Sequence, residues 1–179
     1  NENGMPKQQC KDLVDFAIDR APFVKFMIGA MEKAGCKVDR RFFHVERCSA
    51  DVGGGFRPPD GVVICHNHMQ TEEEITNVLT HELIHAFDHC RAADLDWSNC
   101  EHHACSEIRA AALSGDCSMK QELLRGNMGV VGQLQNCVKR RATLSVTMNP
   151  NCPGDKPRAA VESCFDKCFA DTAPFDRIP

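Results

Sequence analysis

Apolar residues recur at helical spacing over three long stretches of the chain. The first, residues 11 to about 33, is interrupted by Pro22, which predicts either one kinked helix or two short ones. Residues 133–146 and about 158–170 follow the same period near the end of the chain. Residues 120–131 lack a regular period and are expected to be irregular. The pattern therefore predicts a mainly helical protein.

Two shorter patterns predict β-strands. Phe42, Phe43 and Val45 indicate a first strand, and the β-branched run Gly61–Cys65 indicates a second one after a Pro-Pro-Asp-Gly turn. The three glycines at 53–55 lack the following residues of a phosphate-binding loop, so we expect a turn or room for substrate there. A small antiparallel sheet is expected, and the edge of its second strand could pair with an extended peptide.

A further helix is predicted after the second strand. Thr71 and Glu74 form a capping-box pattern, and three successive glutamates favour the positive end of the helix dipole. Apolar residues then recur at intervals of three and four, and nothing breaks the helix before Cys90. The run His81–His85, with the sequence His-Glu-Leu-Ile-His, therefore lies well inside this helix.

This run has the spacing of a zinc peptide hydrolase. His81 and His85 share one helix face and are predicted to bind one Zn²⁺ from the same side. Glu82 is the predicted catalytic base, which takes a proton from the water that the metal activates. The residue that stabilises the oxyanion is open between His103 and Arg109 of the following helix.

A catalytic zinc usually has three protein ligands, so a third is required. His89 lies about 12 Å from His81 along a straight helix, and we interpret it as a surface residue or a partner of a ligand. Glu107 lies in a strongly helix-favouring segment that can pack across the first helix, and it is the preferred third ligand. His102 and His103 remain alternatives, and His103 shares a helix face with Glu107.

Twelve cysteines are spread over the whole chain, and no two of them form a Cys-x-x-Cys pair. This distribution favours disulfides in an oxidising compartment over a metal cluster. Cys164 and Cys168 are four apart on a predicted helix and are expected to pair with cysteines elsewhere. Some buried free thiols are also compatible with the count, and the pairing itself cannot be deduced from the sequence.

Size and charge narrow the class of protein. A chain of 179 residues with 42% hydrophobic residues predicts a single domain over 1–179. A net charge of −4 offers no basic field for nucleic acid, and the lack of an eighteen-residue apolar run argues against a membrane span. The chain opens with Asn1 rather than Met, as expected where a targeting segment has been removed or lies outside this sequence.

Four blocks of sequence resemble one known family. Gly61–Asn67, His81–Asp88, Asp96–Trp97 and His103–Cys117 are similar to the mitochondrial inner-membrane-associated metallopeptidases, also called the Ku-binding-protein-like family. The likeness runs from about Cys10 to the end of the chain. It implies that His81 and His85 are metal ligands and that Glu82 is catalytic, whereas Glu107 depends on helix geometry and on Glu-ligated zinc peptidases in general.

The resemblance also implies a fold, a location and a substrate. The fold is expected to be α+β and mostly helical, zincin-like, with a small antiparallel sheet, two site helices and disulfide cross-links. The family processes the precursor of ATP synthase subunit a and helps to assemble the membrane sector, which implies an intermembrane-space protein peripheral to the inner membrane. The alternatives are a non-proteolytic assembly factor with a structural zinc and, for the location, plain secretion.

Overall fold

Helices make up most of the structure, a computed structural model that describes residues 4–127, 129 and 131–179. Seven α-helices and one three-stranded sheet lie within these residues, which confirms the mostly helical α+β prediction. The chain divides into two compact units, Asn1–Ala93 and Asp94–Pro179, so a single domain stays a prediction. None of the described helices is both long enough and apolar enough to cross a bilayer.

The described part of the first unit contains three α-helices: α1 (Lys7–Arg20), α2 (Pro22–Lys33) and α3 (Glu72–Arg91). Pro22 begins α2, where its missing N–H costs no hydrogen bond, so the chain forms two short helices rather than one kinked one. The predicted capping box at the start of α3 is confirmed. Thr71 Oγ1 accepts from the Glu74 N–H at 3.2 Å, and the Glu74 carboxylate accepts from the Thr71 N–H at 3.3 Å.

The sheet is mixed, so the prediction of an antiparallel sheet was wrong. Its strands are β1 (Phe43–Glu46), β2 (Gly54–Arg57) and β3 (Gly61–Cys65), in the order β1-β3-β2. β2 and β3 form an antiparallel hairpin. β1 runs parallel to β3 because the chain reverses direction twice between them, once before β2 and once after it. β3 therefore has no free edge for a peptide, contrary to the sequence expectation.

Two of the three glycines belong to β2 rather than to a loop. A Cβ on Gly54 would lie 2.5 Å from the Val63 carbonyl oxygen and 2.7 Å from Val78 Cγ1 of α3. Only glycine leaves room for this close approach of strand and helix. The missing side chain of Gly54 thus lets β2 pack directly against the helix that carries the histidines.

The core of the first unit forms where α3 covers the sheet and α2. All five residues of β3 are buried, and so are Ile75, Leu79 and Leu83 along one side of α3. Burial of such large apolar side chains is the main source of stability in a domain of this kind. Two disulfides, Cys36–Cys90 and Cys48–Cys65, also lie in this unit.

The second unit contains α4 (Cys100–Leu113), α5 (Met119–Leu124), α6 (Gln133–Thr147) and α7 (Lys156–Ala170). α5 corrects the expectation of an irregular segment over 120–131, of which residues 128 and 130 lie outside the described residues. The Ser118 hydroxyl caps α5 by accepting from the Gln121 N–H at 3.4 Å. The Ser-x-x-Gln pattern was a readable helix start that the periodicity alone did not indicate.

Five disulfides confirm the interpretation of the cysteines. In the second unit α4 packs against α6 and α7, and the cross-links are Cys100–Cys152, Cys105–Cys168 and Cys117–Cys137. Cys168 pairs with a distant cysteine as expected, but Cys164 is a free thiol, and so is the buried Cys10. The expectation that Cys164 is cross-linked was therefore wrong.

Candidate active site

The middle of α3 carries the paired histidines. His81 and His85 lie one turn apart, with ring centroids 4.9 Å apart and Nε2 atoms separated by 3.2 Å. Two imidazoles bound to one tetrahedral zinc at their usual distances would have nitrogen atoms about 3.3–3.4 Å apart. A shared metal can use the lone pairs of both rings. The geometry of the pair therefore fits a zinc ion.

Glu82 lies between these histidines in the chain, and its side chain is buried. Four buried polar or charged residues occur among the described residues of the first unit, and all are in α3: Thr80, Glu82, His85 and Asp88. Thr80 donates to the Thr76 carbonyl at 2.9 Å, and Asp88 pairs with Arg91 at 3.1 Å. Because burial of polar groups is costly, their concentration in a few turns indicates a site.

Glu107 lies on α4, which Asn99 caps by accepting from the Glu101 N–H at 2.9 Å. Its carboxylate is buried, and Oε1 is 3.3 Å from His103 Nε2. The Asn149 amide lies 3.0 Å from His103 Nδ1 and 2.8 Å from the Trp97 carbonyl. If the amide donates to Nδ1, the proton of neutral His103 is on Nε2 and points to Glu107.

This arrangement makes His103 the partner of a carboxylate. A histidine that donates to a carboxylate ligand fixes the orientation of its oxygens. Of the three predicted ligands, His81 and His85 lie on α3 and Glu107 lies on α4. Two imidazole nitrogens and a carboxylate oxygen are a frequent donor set of catalytic zinc.

The other candidate residues have different surroundings. His89 is exposed on α3, with its ring centroid 5.6 Å from that of Phe56, in agreement with its interpretation as a surface residue. His102 Nδ1 accepts a hydrogen bond at 3.1 Å from the N–H of Asp96, which lies in the segment before α4.

Arg109, the other oxyanion candidate, is buried. Its guanidinium donates to the carbonyl oxygens of Asp171 and Ala173 and forms an ion pair with Asp171 Oδ1 at 2.8 Å. These contacts hold the segment after α7 against α4.

Asn149, which contacts His103, was missed from the sequence because it is 46 residues away and no local pattern marks it.

Comparison with known proteins extends the likeness beyond the four blocks. A family model described as "Peptidase M76 family" matches residues 8–176. The "Mitochondrial inner membrane protease ATP23 homolog" of Danio rerio is 45% identical over 176 residues, which are 97% of this chain and 69% of the relative. The Homo sapiens protein of the same name is 43% identical over 175 residues, or 96% of this chain and 71% of the relative.

A fungal relative is covered almost completely. The "Mitochondrial inner membrane protease atp23" of Schizosaccharomyces pombe is 37% identical over 174 residues, which are 96% of this chain and 94% of the relative. No solved structure matches the chain, so the zincin-like fold stays a prediction.

Proposed function

Because the chain belongs to the Peptidase M76 family, we propose that it is a zinc-dependent endopeptidase of the His-Glu-x-x-His type. The family match confirms the resemblance inferred from the sequence blocks. The observation that carries the proposal is the pair of Nε2 atoms of His81 and His85, 3.2 Å apart on one helix, with Glu82 between them in the chain. In the proposal His81, His85 and Glu107 hold the metal.

The chemistry is metal-assisted hydrolysis of a peptide bond. Zn²⁺ supplies Lewis acidity to this reaction when it is bound. Glu82 accepts a proton from the attacking water and then donates it to the leaving amine nitrogen. His103 holds the carboxylate of Glu107 through its Nε2–H, which keeps the carboxylate oriented between turnovers.

The sheet supplies a site for an extended peptide. β3 is central, whereas β2 pairs with β3 alone among the described strands. β2 also lies against α3, where Gly54 faces Val78 and Phe56 contacts His89. We therefore place the substrate backbone on the outer edge of β2, where main-chain hydrogen bonds can hold it independently of its sequence.

The location and the substrate are part of the same proposal. The relatives are named as mitochondrial inner membrane proteases, and the resemblance implies processing of the precursor of ATP synthase subunit a. We propose that this chain acts in the intermembrane space on that precursor, associates peripherally with the inner membrane and aids assembly of the membrane sector. Five disulfides support an oxidising compartment.

The first experiment compares the wild type with Glu82→Gln, which retains all proposed ligands and removes the base. Zinc content and cleavage of the precursor peptide are measured on the oxidised protein. We expect about one zinc per chain in both and a loss of cleavage of about 10²- to 10⁴-fold in the variant. Glu72→Gln, on an exposed carboxylate in the first turn of α3, is the matched control and should cleave normally.

The outcomes separate enzyme from assembly factor. Normal cleavage by Glu82→Gln would show that the base is assigned wrongly. Zinc without cleavage in either protein would favour a non-proteolytic assembly factor with a structural zinc. If assembly of the membrane sector survives in Glu82→Gln while processing stops, both roles exist and are separable.

A second experiment tests the third ligand. Glu107→Ala removes a proposed ligand, whereas His103→Ala removes only its partner. We expect His103→Ala to weaken zinc affinity by about 10- to 100-fold and Glu107→Ala to weaken it further. The reverse order in a competition titration with a chelator would assign His103 as the ligand instead.

A further inference from the structure

Residues 118–149, which include α5 and α6, differ in composition from the rest of the chain. They contain five basic residues (Lys120, Arg125, Lys139, Arg140 and Arg141) and a single acidic one, Glu122. This segment therefore carries a net charge of +4, whereas the whole chain carries −4. Such local asymmetry indicates an anionic partner for this part of the surface.

The same segment carries most of the exposed large apolar side chains. Nine such side chains occur among the described residues, and six lie between 119 and 148: Met119, Leu123, Leu124, Val131, Leu144 and Met148. Leu124, Leu144 and Met148 are 73%, 60% and 63% exposed. Exposed apolar groups that cluster in one segment mark an interaction site, whereas scattered ones do not.

Contacts within the unit place the cations beside the apolar groups. Arg140, Leu144 and Met148 follow one another at intervals of four, so they form a stripe on one side of α6. Arg140 reaches Glu122 of α5 at 2.8 Å, and Arg125 reaches the same carboxylate at 3.0 Å. The stripe therefore begins next to α5, which carries Leu123 and Leu124.

The acidic group of this cluster is hidden, and its cations are exposed. The side chain of Glu122 is 3% exposed, whereas those of Arg140 and Arg125 are 48% and 31% exposed. Arg141 pairs with Asp116, whose side chain is also largely buried, at 3.2 Å. Because the carboxylates face inward, the field outside α5 and α6 is positive.

We propose that this α5–α6 surface, formed by Lys120, Leu123, Leu124, Arg125, Arg140, Leu144 and Met148, docks on the headgroups of an anionic lipid bilayer. The leucines and the methionine enter the interface, and the cations contact lipid phosphates, as in interfacial helices. A second copy of the chain is disfavoured as the occupant because it would bring like charges together. Apolar side chains between the cations favour a bilayer over an acidic protein.

The inference rests on the membrane association proposed above, but it does not depend on peptide hydrolysis. Its test is a flotation assay of the oxidised protein with two vesicles: phosphatidylcholine alone, and phosphatidylcholine with about one third phosphatidylglycerol. We expect the wild type to bind the anionic vesicle at least tenfold more tightly and to be released by salt. A failure to bind vesicles would not contradict the proposed peptide hydrolysis. Equally, a failure to cleave peptides would not contradict the proposed membrane binding.

Two variants and one control locate the surface. Leu124→Ser combined with Leu144→Ser and Met148→Ser removes exposed apolar groups, and Lys120→Glu alone reverses one charge. Each should weaken binding to the anionic vesicle by about tenfold. Lys11→Glu combined with Phe16→Ser makes equivalent changes at exposed positions of α1 and should leave binding unchanged.

Three results would overturn the proposal. They are equal binding to both vesicles, an equal loss of binding in the α1 control, and no binding of the wild type to either vesicle. The last result would assign the surface to an acidic protein partner instead. Circular dichroism of each variant verifies that the helices are intact, and Lys120→Glu keeps the test valid if the triple variant fails to fold.

Discussion

In the unit Asn1–Ala93 the buried apolar side chains are mostly large, whereas in Asp94–Pro179 most of them belong to alanine and cysteine. Among the described residues, alanine and cysteine supply four of the eighteen buried apolar residues of the first unit and ten of the sixteen of the second. The first unit has two disulfides and the second has three. The cross-links are thus more numerous where the core side chains are smaller.

This difference has a physical reason. Apolar burial contributes roughly 25 cal/mol per Å², so a core of small side chains contributes less than one of leucine, isoleucine and methionine. Small residues on α4 also allow α6 and α7 to approach closely, which suits the short reach of a disulfide. We infer that the second unit depends on its disulfides more than the first does.

Complete reduction should produce the largest effect. Without disulfides we expect amide protection in α4, α6 and α7 to fall by orders of magnitude, while α3 and β3 retain most of theirs. Hydrogen–deuterium exchange with peptide resolution measures both units in one sample. Because Glu107 lies on α4, zinc retention should fall as well. Equal loss of protection in the two units would contradict the comparison.

A matched pair of disulfide deletions isolates the role of the core. Cys105–Cys168 and Cys36–Cys90 have sequence separations of 63 and 54, so loop closure contributes about 4 kcal/mol in each case. We expect the double variant Cys105→Ala/Cys168→Ala to raise amide exchange strongly in the second unit. The double variant Cys36→Ala/Cys90→Ala should raise amide exchange less in the first unit. Similar increases would mean that core composition does not matter.

Glu122 tests whether buried charge also stabilises the second unit. Burial raises its pKa, but hydrogen bonds from Arg140 and Arg125 outweigh burial, and the net shift of the pKa is downward. A pKa lowered by folding adds stability that is complete above the unfolded-state value of about 4.3 and is lost as the pH falls through the lower folded-state value.

The corresponding variant is Glu122→Gln. At neutral pH we expect its free energy of unfolding in urea to be about 1–3 kcal/mol below that of the wild type. The gap should narrow as the pH falls below about 4. Glu162→Gln, at an exposed ion pair with Arg158 on α7, is the control and should change little. A gap that does not depend on pH would contradict the role of the ionised carboxylate.

We expect the smallest effect from chemical labelling of the two free thiols. Labelling reports how accessible each thiol is, and not the free energy of unfolding of its unit. Cys10 in the first unit is fully buried, and burial raises its pKa to about 11. Burial, and then the charge of Glu101, also raise the pKa of Cys164, which is only partly buried. We expect iodoacetamide to label Cys164 first and Cys10 only on unfolding, as read by mass spectrometry. Early labelling of Cys10 would show that the core of the first unit opens easily.

Local patterns were sufficient for α3 and for half of the candidate site. The capping box of Thr71 and Glu74, the apolar spacing and the i, i+4 histidines all depend on residues within a few positions of each other. The helix backbone fixes such relations wherever the helix lies. His81, Glu82 and His85 could therefore be predicted as a group from the sequence alone.

The tertiary structure decided the features that join distant residues. The chain path through β2, not the pattern of any strand, made β1 parallel to β3, and the pairing of cysteines up to 63 positions apart followed from helix packing. The contacts of His103 with Asn149 and of Arg109 with Asp171 have the same origin. Sequence spacing carries no information about these contacts, because their geometry depends on how whole elements pack.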